Sequence, residues 1–555
     1  MPLYRCWNYG PCVRANSREP FELPPGMTPI CPEPLCQRPL QLVEGAHPRG
    51  RRQPPRSRVG SWLPPLPAVP RDGGRRGIQR WIPALLFTLA ALPLLGIIVV
   101  VASKLSSGPL DGSAAAAAPR AARAPAPMQV VLRLSGSNTI GPKLAPALVQ
   151  NFMARRMGAT LISSLETAPE EELLRVTLPS GDVGVEIRSH GSAHAFADLL
   201  AGTCDIGMAS RPVNANEISA LRAGGMGDFT SPQSEFVIGL DGLAIIVNAA
   251  SSIHSLTRTQ IRQVFGGDIR DWKDLGGSSG AIATYSRPTT SSGTYDTFNA
   301  LVLDGTGRLK PGTLQIEDSG ELVNAVARDP RGIGFVGFGY LNGSLGVRPI
   351  AVGDSGTPLR EPTVMTIATE DYVLHRRLYF YVPPTKHEPL VAQFVAFVQS
   401  DEGQTIVSQA GFVGQNIQDN LLRGNQVAAK APPDDASPDY RQLFAAATRL
   451  PTTIKFQSGR ADLDNKASAD LERIVRHAAY DPGARVILVG FCDSVGDPQR
   501  NLKLSLDRAR MVAQELDVRG VKAEIRGEGQ RSPVQTNETE AGREANRRVE
   551  VWVQR

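Results

Sequence analysis

Cysteine is scarce in this chain, which has six cysteines in 555 residues. Four of the six lie within the first 36 residues, so only Cys204 and Cys492 remain for the rest of the sequence. A free cysteine usually behaves as a small apolar side chain. We therefore expect Cys204 and Cys492 to be buried core residues in two separate domains.

Catalytic signatures are also missing. No Ser/His/Asp or Cys/His arrangement stands out, and the glycine-rich stretch GEGQRS at residues 527–532 lacks the lysine of a P-loop. Hydroxyl-rich turns do occur, but hydroxyl groups without an identifiable base are not activated nucleophiles. The sequence therefore favours a binding or structural protein over an enzyme.

An excess of basic charge is absent from most of the chain, although the formal net charge is +6. Residues 1–80 hold 13 Lys and Arg against five Asp and Glu, whereas the rest of the chain holds 47 against 49. Nucleic-acid binding relies on clustered basic residues. We therefore expect no nucleic-acid partner for the large domains.

One long uncharged apolar run is present, WIPALLFTLAALPLLGIIVVVA at residues 81–102. About 20 apolar residues suffice to cross a bilayer, and the run lies too far from the N-terminus for a secretory signal peptide. Its C-terminal flank offers only Lys104, whereas four arginines precede it, namely Arg71, Arg75, Arg76 and Arg80. Because basic flanks stay in the cytoplasm, we predict a single transmembrane helix in a lipid bilayer. Residues 1–80 would be cytoplasmic and the bulk of the chain would lie on the outer side of the membrane.

Residues 1–80 are rich in proline and arginine, and they offer little apolar surface to bury, so we expect most of them to be disordered. Their cysteines form a C-x5-C pair and a C-x4-C pair, Cys6, Cys12, Cys31 and Cys36. Zinc ribbons favour tighter C-x2-C pairs, although looser spacings occur, and a reducing cytoplasm disfavours disulfides. Two interpretations stay open: one structural zinc ion bound by these four thiols, or four unliganded thiols.

Two spacers without a hydrophobic period divide the remainder of the chain. The first covers residues 103–127, and the second covers residues 421–448 around the sequence NQVAAKAPPDDASPDY. The two stretches that they delimit, residues 128–420 and residues 449–555, are each long enough to form a core of their own.

Apolar strand-like runs alternate with helical stretches throughout residues 128–420, which is typical of an α/β fold. Three of the strand-to-helix turns are rich in hydroxyl groups and read GSNTIGP, GSAHAF and TTSSGT. Hydroxyls and free backbone N–H groups at a helix N-terminus attract anions. Taken singly, each turn is more typical of an ordinary Ser/Thr cap. Three such turns converging on a cleft would instead hold a small oxyanion from both sides, and Arg211 and Arg287 lie near enough to neutralise it.

The order of these motifs resembles that of the periplasmic phosphate-binding proteins of ABC-type uptake transporters. The resemblance is carried by SGSNTIGPKLAPAL, GTCDIGMASRPV, DGLAIIVN, LTRTQIRQVFGGDIRDWKDLGG, SSGTYDTFNALVL and GIGFVGFGYL. It implies two α/β lobes that close on the ligand, phosphate or a similar oxyanion as that ligand, and an ABC permease as a candidate partner. The implied ligand contacts are Ser137, Thr139, Ser192, Ser210, Arg211, Arg287, Ser292, Gly293 and Thr294.

Two departures from that family concern the ligand. Where well-known members have an aspartate that accepts the proton of hydrogen phosphate, this chain reads Ser-Arg-Pro, with Arg211 at the position. Without that carboxylate, discrimination against fully ionised sulfate is weaker. Arg287 also stands one residue further from its turn than the arginine of the family. The expected ligand is therefore phosphate or another small oxyanion.

The C-terminal unit contains a strand over residues 485–489, a loop with Asp493 and then a helix. On this helix Asn501, Ser505 and Arg508 are spaced four and three apart, so they share one face. A carboxylate and a facing guanidinium can hold a ligand that has both an ammonium and a carboxylate group. By itself the pair of Asp493 and Arg508 is equally typical of a structural salt bridge.

The stretches GFCDSVG, NLKLSLDRAR, GREAN and NRRVEV resemble the OmpA-like peptidoglycan-binding domain, which has an α+β (βαβαβ) fold. The resemblance implies that Asp493 and Arg508 clamp diaminopimelate in the cell-wall peptide, with Asn501 beside them. Cys492 stands where the family usually has threonine, which would weaken a supporting hydrogen bond. Peptidoglycan is thus the expected second partner. A wall-binding domain outside the membrane fits the periplasm of a Gram-negative cell, so the predicted transmembrane helix would lie in the inner membrane.

Together these features predict a non-enzymatic, membrane-anchored periplasmic protein that captures phosphate or a similar oxyanion while attached to peptidoglycan, for uptake or sensing. The alternative is a structural envelope tether in which the solute-binding domain serves as a spacer or an interaction surface. The Ser-Arg-Pro departure is the feature that favours the tether.

Overall fold

The computed structural model describes residues 128–555, except for residues 291, 342–345, 386–387, 425–431 and 457–462, and three short strands nearer the N-terminus. These strands form one antiparallel sheet in the order β2-β1-β3, and they are β1 (Leu3–Arg5), β2 (Phe21–Glu22) and β3 (Gln41–Leu42).

Two predictions fall outside the described residues: the zinc site of Cys6, Cys12, Cys31 and Cys36, and the membrane helix over residues 81–102. Among the helices that the structure describes, none combines the length and the apolar character needed to span a bilayer.

Residues 128–424 form the two-lobed region, which is built on one mixed sheet of 11 strands. The strands of this sheet are β4 (Gln129–Gly136), β5 (Leu161–Ala168), β6 (Glu171–Leu178), β7 (Gly181–Arg188), β8 (Ile206–Ala209), β9 (Glu235–Asn248), β11 (Ala283–Ser286), β12 (Leu314–Gln315), β13 (Gly332–Gly337), β14 (Val347–Pro349) and β16 (His375–Tyr381). Their order is β12-β11-β13-β9-β16-β8-β4-β7-β6-β5, with β14 also paired to β9. A separate parallel pair consists of β10 (Ser255–Thr257) and β15 (Ala351–Gly353).

Helices cover the faces of this sheet, as expected for an α/β fold. They are α1 (Leu144–Arg156), α2 (Ser192–Ala201), α3 (Ala215–Ala223), α4 (Arg258–Gly266), α5 (Gly293–Leu301), α6 (Ser319–Arg328), α7 (Val364–Ala368), α8 (Pro389–Gln399), α9 (Asp401–Gln409) and α10 (Ile417–Gly424). A capping box starts α4, because the Thr257 hydroxyl accepts from the Gln260 N–H while the Gln260 side chain accepts from the Thr257 N–H.

Two strands carry the sheet from one lobe into the other. The second half of β9 pairs with β13 in the second lobe, and its first half pairs with β16. The C-terminal half of β16 in turn pairs with β8 in the first lobe. Each lobe has its own apolar core, one around Phe152 and Phe394 and the other around Phe265, Phe298 and Phe335. The two crossing strands therefore form the hinge, and a cleft lies between the lobes.

Residues 432–555 form the C-terminal region, a four-stranded sheet covered by helices. The strands are β17 (Thr448–Lys455), β18 (Arg485–Gly490), β19 (Ala523–Gly527) and β20 (Arg548–Gln554), and the helices are α11 (Pro438–Ala446), α12 (Asn465–Tyr480), α13 (Pro498–Asp517) and α14 (Glu540–Asn546). The predicted βαβαβ unit corresponds to β17-α12-β18-α13-β19. The structure adds β20, which lies between β17 and β18 and is antiparallel to both.

Part of the predicted second spacer is packed rather than extended. Helix α11 lies inside residues 421–448, and its side chains Tyr440 and Leu443 are buried against Phe491 and Trp552. Residues 438–446 thus belong to the core of the C-terminal region. The sequence did not indicate this because the partner aromatics lie far along the chain.

The C-terminal region docks on the hinge through charged side chains that we call the interdomain ion cluster. Its members are Glu370, Asp371 and Arg377 of the two-lobed region and Arg449, Lys455, Asp464 and Lys466 of the C-terminal region. Glu370 is 2% exposed and lies 2.7 Å from Lys455 Nζ and 2.9 Å from Arg377 Nη2. Arg377 also pairs with Asp464 at 2.7 Å, and Arg449 pairs with Asp371 at 2.7 Å.

Replacing Glu370 by glutamine should strongly destabilise this docking. The change leaves buried cations without their shared anion, and breaking a buried pair in this way costs about 3–5 kcal/mol. We expect a loss of that size in the free energy of unfolding, measured by urea denaturation at pH 7. The exposed Glu361 in the same segment provides the control Glu361→Gln, and equal stabilities of the two variants would contradict the expectation.

Glu370 should also determine how the stability of the protein responds to acid. Burial alone would raise the pKa of Glu370, but Arg377, Lys455 and Lys466 outweigh burial and hold it well below its ordinary value. A depressed carboxyl pKa contributes stability that is complete above the unfolded-state value, about 4.3, and is lost as pH falls below it. The native protein should therefore lose stability below that pH more steeply than Glu370→Gln does.

Candidate functional sites

The hydroxyl-rich turns of the first lobe are tied together by backbone hydrogen bonds. The Gly191 N–H donates to the Gly136 carbonyl at 2.7 Å, and the Ser137 N–H donates to the Met208 carbonyl at 2.8 Å. The first turn, the start of α2 and the end of β8 therefore form one surface at the cleft. Helix α1 begins at Leu144, after this surface.

The third turn reaches the same surface from the second lobe. Gly293 is the first residue of α5, and a Cβ atom placed on it would lie 2.2 Å from Asn138 Oδ1 and 2.8 Å from Thr139 Oγ1. Real Cβ atoms do not approach other atoms so closely, so a larger residue at this position would have to displace the side chains of Asn138 and Thr139. The first and third turns, from opposite lobes, thus meet directly. Thr294 follows as the second residue of α5.

Serine hydroxyls at this junction are oriented by backbone groups. In each of three cases the serine Oγ accepts a backbone N–H, namely Thr139 to Ser137 (3.2 Å), Ser210 to Ser192 (3.0 Å) and Tyr295 to Ser292 (3.3 Å). A hydroxyl that accepts still has its own hydrogen to donate. Ser192 and Ser210 also lie 3.3 Å apart through their hydroxyls. The arrangement presents several O–H donors at the helix N-termini.

Two further predicted contacts contain buried polar atoms without a partner. Within the described residues, Thr139 Oγ1 and Arg287 Nε are buried and make no hydrogen bond. Unpaired buried polar atoms are costly, so such atoms often mark ligand sites. Thr139 lies at the junction of the turns. Arg287 lies in the second lobe, where its Nη1 donates to the hydroxyl of Ser319 at the start of α6.

The Arg211 guanidinium is paired with a carboxylate of the protein itself. The guanidinium makes two hydrogen bonds to the Glu217 carboxylate, at 2.7 and 2.8 Å, and these raise the pKa of Arg211. Glu217 also belongs to the capping box that starts α3. The positive charge that replaces the family's aspartate is therefore neutralised locally, and Arg211 forms part of the cleft wall as one half of an ion pair.

A cavity of about 1070 Å³ opens from this junction, and we call it the cleft cavity. Ser192, Ser210 and Arg211 line it, together with Arg376, which the sequence did not single out. Arg376 Nη1 donates to the Gly293 carbonyl at 3.1 Å, and its Nε and Nη2 pair with Asp241 at 3.0 and 2.8 Å. Arg376 comes from β16, so a hinge strand supports the start of α5.

The C-terminal region has a second cavity, of about 440 Å³, which we call the wall cavity. Asp493 and Arg508 both line it, so the structure brings the predicted clamp residues to one site. Asp493 pairs with Arg547 at 2.9 Å and not with Arg508, which differs from the simple salt bridge that the sequence left open. Burial alone would lower the pKa of Arg547, but hydrogen bonds to Asp493 and Glu540 outweigh burial and raise it.

Cys492, which stands where the family usually has threonine, makes polar contacts with Arg508 and Asn501 through its thiol. Arg508 Nη1 lies 2.9 Å from Cys492 Sγ and 3.3 Å from the Phe491 carbonyl, while the thiol itself donates to the Asn501 carbonyl at 3.3 Å. Burial raises the pKa of Cys492 to about 11, so the thiol is neutral at physiological pH. Cys492 therefore positions Arg508 without being a reactive group.

Asn501 organises the loop of the wall cavity. Its side-chain amide donates to the carbonyls of Asp493 and Val495 at 3.3 and 3.1 Å, and to Gln530 Oε1 at 3.0 Å. Asn501 is 4% exposed. Its contribution to the site is thus to hold the backbone on either side of Asp493.

The sequence missed three charged residues of the wall cavity: Glu540, Arg543 and Arg547. They come from α14 and from the residue after it. The stretches GREAN and NRRVEV contain Arg543 and Arg547, and they indicated the fold but no role for these side chains. Within the described residues, no cluster of His, Cys, Asp and Glu has the arrangement of a metal site.

A two-lobed α/β region whose helix N-termini and hydroxyls meet at the interlobe cleft has the architecture of a periplasmic solute-binding protein. The family model described as "PBP superfamily domain" matches residues 123–402, and the OmpA family model matches residues 455–547. The chain therefore belongs to the phosphate-binding proteins of the PBP superfamily and carries an OmpA-family domain behind the solute-binding domain.

Two relatives of known name agree with this assignment. The chain is 31% identical over 241 residues to the phosphate-binding protein PstS of Staphylococcus saprophyticus, a match that covers 42% of this chain and 72% of the relative. It is 28% identical over 276 residues to the protein SphX of Synechococcus elongatus, covering 48% and 79%. A solved ABC-type phosphate transport receptor from Vibrio cholerae aligns with 24% identity and a TM-score of 0.40, covering 51% of this chain and 99% of that one.

Proposed function

We propose that this protein captures phosphate, or a tetrahedral oxyanion of similar charge, at the junction of the three hydroxyl-rich turns. The C-terminal region holds peptidoglycan in the wall cavity, where Asp493 takes the ammonium and Arg508 the carboxylate of diaminopimelate. Residues 81–102 anchor the chain in the inner membrane, so that the two binding regions work in the periplasm. The captured anion serves uptake through an ABC permease or sensing.

The observation that carries the anion proposal is the meeting of Gly293 with Asn138 and Thr139 across the lobes. It places the N-terminus of a nine-residue helix against a turn whose Thr139 hydroxyl has no partner within the described residues. A helix N-terminus and free hydroxyls together supply the donors that a phosphate oxygen needs. The relatives named as phosphate-binding proteins support the same ligand.

Isothermal titration of residues 128–555 with phosphate, sulfate and a phosphonate tests the anion proposal. We expect micromolar or tighter phosphate binding, because several charge-assisted hydrogen bonds would act together. We also expect measurable competition by sulfate, since Arg211 and Glu217 offer no free carboxylate at the position of the family's aspartate. Absence of heat with all three anions would favour the structural tether instead.

A further inference from the structure

One short helix separates the cleft cavity from the wall cavity. Helix α14 contributes Glu540 and Arg543 to the wall cavity, and Arg547 follows at its end. The same helix contributes Ala541, Glu544 and Ala545 to the cleft cavity. The two cavities therefore share a wall that is one helix thick.

Helix α14 is packed tightly and is connected to the second lobe. A Cβ atom on Gly542 would lie 1.9 Å from the Thr536 carbonyl, so the helix rests directly on that backbone. The Thr536 N–H donates to Asp354 Oδ2 at 3.0 Å, and Asp354 Oδ1 pairs with Arg258 at 2.7 Å. Arg258 also lines the cleft cavity. A displacement of α14 is thus transmitted to a cleft residue through three direct contacts.

Phe456 provides a second connection. It lines the cleft cavity, and the guanidinium of Arg508 lies over its ring at 5.5 Å. Arg508 lines the wall cavity. A change in the position of Arg508 therefore changes the packing of a residue in the cleft wall.

The C-terminal region also contacts both lobes. Asn465 Nδ2 donates to the Thr230 carbonyl and to Glu235 Oε1 on the first-lobe side, both at 3.0 Å. On the second-lobe side Arg449 pairs with Asp371 at 2.7 Å. Any hinge motion between the lobes must therefore break or shift contacts with the C-terminal region.

From these contacts we propose that the two sites are energetically coupled, so that diaminopimelate in the wall cavity changes the affinity of the cleft for phosphate. This inference rests on the proposed function of each site. A ligand ammonium at Asp493 competes with Arg547, which also holds Glu540 at 2.8 Å. Release of Arg547 alters the charges on one face of α14, and the opposite face is cleft wall. The protein thus responds to wall attachment and anion supply together.

Linked titrations of the full-length chain in detergent test the coupling. Phosphate affinity is measured by calorimetry without and with saturating meso-diaminopimelate, and diaminopimelate affinity is measured without and with saturating phosphate. We expect each ligand to change the dissociation constant of the other by about fivefold or more, and by the same factor in both directions. Binding of both ligands with less than a twofold mutual effect would overturn the coupling, whereas no binding of a single ligand would overturn the proposed function of its site.

A double variant, Asp371→Asn with Asp464→Asn, provides the structural control. It removes one anion from each of Arg449 and Arg377, which keep Glu550 and Glu370 as partners, while the amide oxygen of the new asparagine keeps the capping acceptor that Asp464 offers to the Ala467 N–H. We expect both ligands to bind this variant with a smaller mutual effect than in the native chain. Full coupling in a folded double variant would show that these ion pairs do not transmit the effect, so that the coupling would have to pass through α14 and Phe456. The titrations of the native chain decide the coupling even if the variant does not fold.

Discussion

Asp493→Ala and Arg508→Ala should each abolish retention of the protein on purified peptidoglycan. Each change removes one charged partner of a zwitterionic ligand and leaves the matching charge of the ligand unpaired in the wall cavity, where the Asp493 side chain is only 15% exposed. The cost of such a loss is about 2–5 kcal/mol. This corresponds to a loss in affinity of roughly 30-fold to several thousand-fold. The measurement is a pull-down on sacculi, followed by titration of the residues 128–555 fragment with meso-diaminopimelate.

Matched controls are available on the same helix. Asp507 and Arg510 are neighbours of Arg508 on α13, they pair with each other, and both side chains are largely exposed. Asp507→Ala and Arg510→Ala should bind sacculi like the native protein, since exposed pairs contribute little. Arg508→Lys should bind weakly, because lysine cannot supply the planar fork for a carboxylate. Retained binding in both Asp493→Ala and Arg508→Ala would remove the wall cavity as the attachment site.

Gly293→Ala should weaken phosphate binding by about tenfold to 100-fold. The new methyl group would lie 2.2 Å from Asn138 Oδ1 and 2.8 Å from Thr139 Oγ1, so these two side chains must move away from it or the start of α5 must separate from the first turn. Either change costs the ligand at least one hydrogen bond to a charged group, about 1.5–3 kcal/mol. Calorimetry with phosphate measures the loss, and thermal unfolding shows whether the variant remains folded.

Gly280→Ala is the appropriate control for this substitution. Gly280 also lies in the second lobe, but a Cβ atom there would meet only the Arg331 side chain, at ordinary contact distances of 3.7 Å or more. We expect Gly280→Ala to bind phosphate like the native protein. If Gly293→Ala binds phosphate as well as the native protein does, the anion does not bind at the junction of the turns, and the proposed anion site is wrong.

The proximity of Asp493 and Arg508 was predictable because their geometry is local. Asp493 and Arg508 belong to one strand–loop–helix unit, and helical spacing alone places Asn501 and Arg508 on the face toward the loop. Arg547 was not predictable in the same way, since it reaches Asp493 only after β20 has inserted into the sheet. Motif matching can identify such a stretch without indicating what its side chains contact.

The docking of the C-terminal region on the hinge could not be predicted from the sequence, for a different reason. Glu370, Lys455 and Lys466 look like ordinary surface charges, and nothing in their neighbours indicates that they become buried together. Burial of charges depends on a mutual fit of two folded surfaces, which no local pattern encodes. The role of Glu217 in neutralising Arg211 is an intermediate case, because six residues separate the pair and the capping box at α3 has a recognisable spacing.

The position of β20 has a consequence for biogenesis. Strand β20 follows β17, β18 and β19 in the chain but lies between β17 and β18, so β17 cannot join the sheet until residues 548–554 have been synthesised. Such long-range pairing slows folding and leaves strand edges open to wrong partners in the meantime. Until β20 is in place, Arg547, which directly precedes this strand, cannot reach Asp493, so the wall cavity is incomplete in the newly made polypeptide.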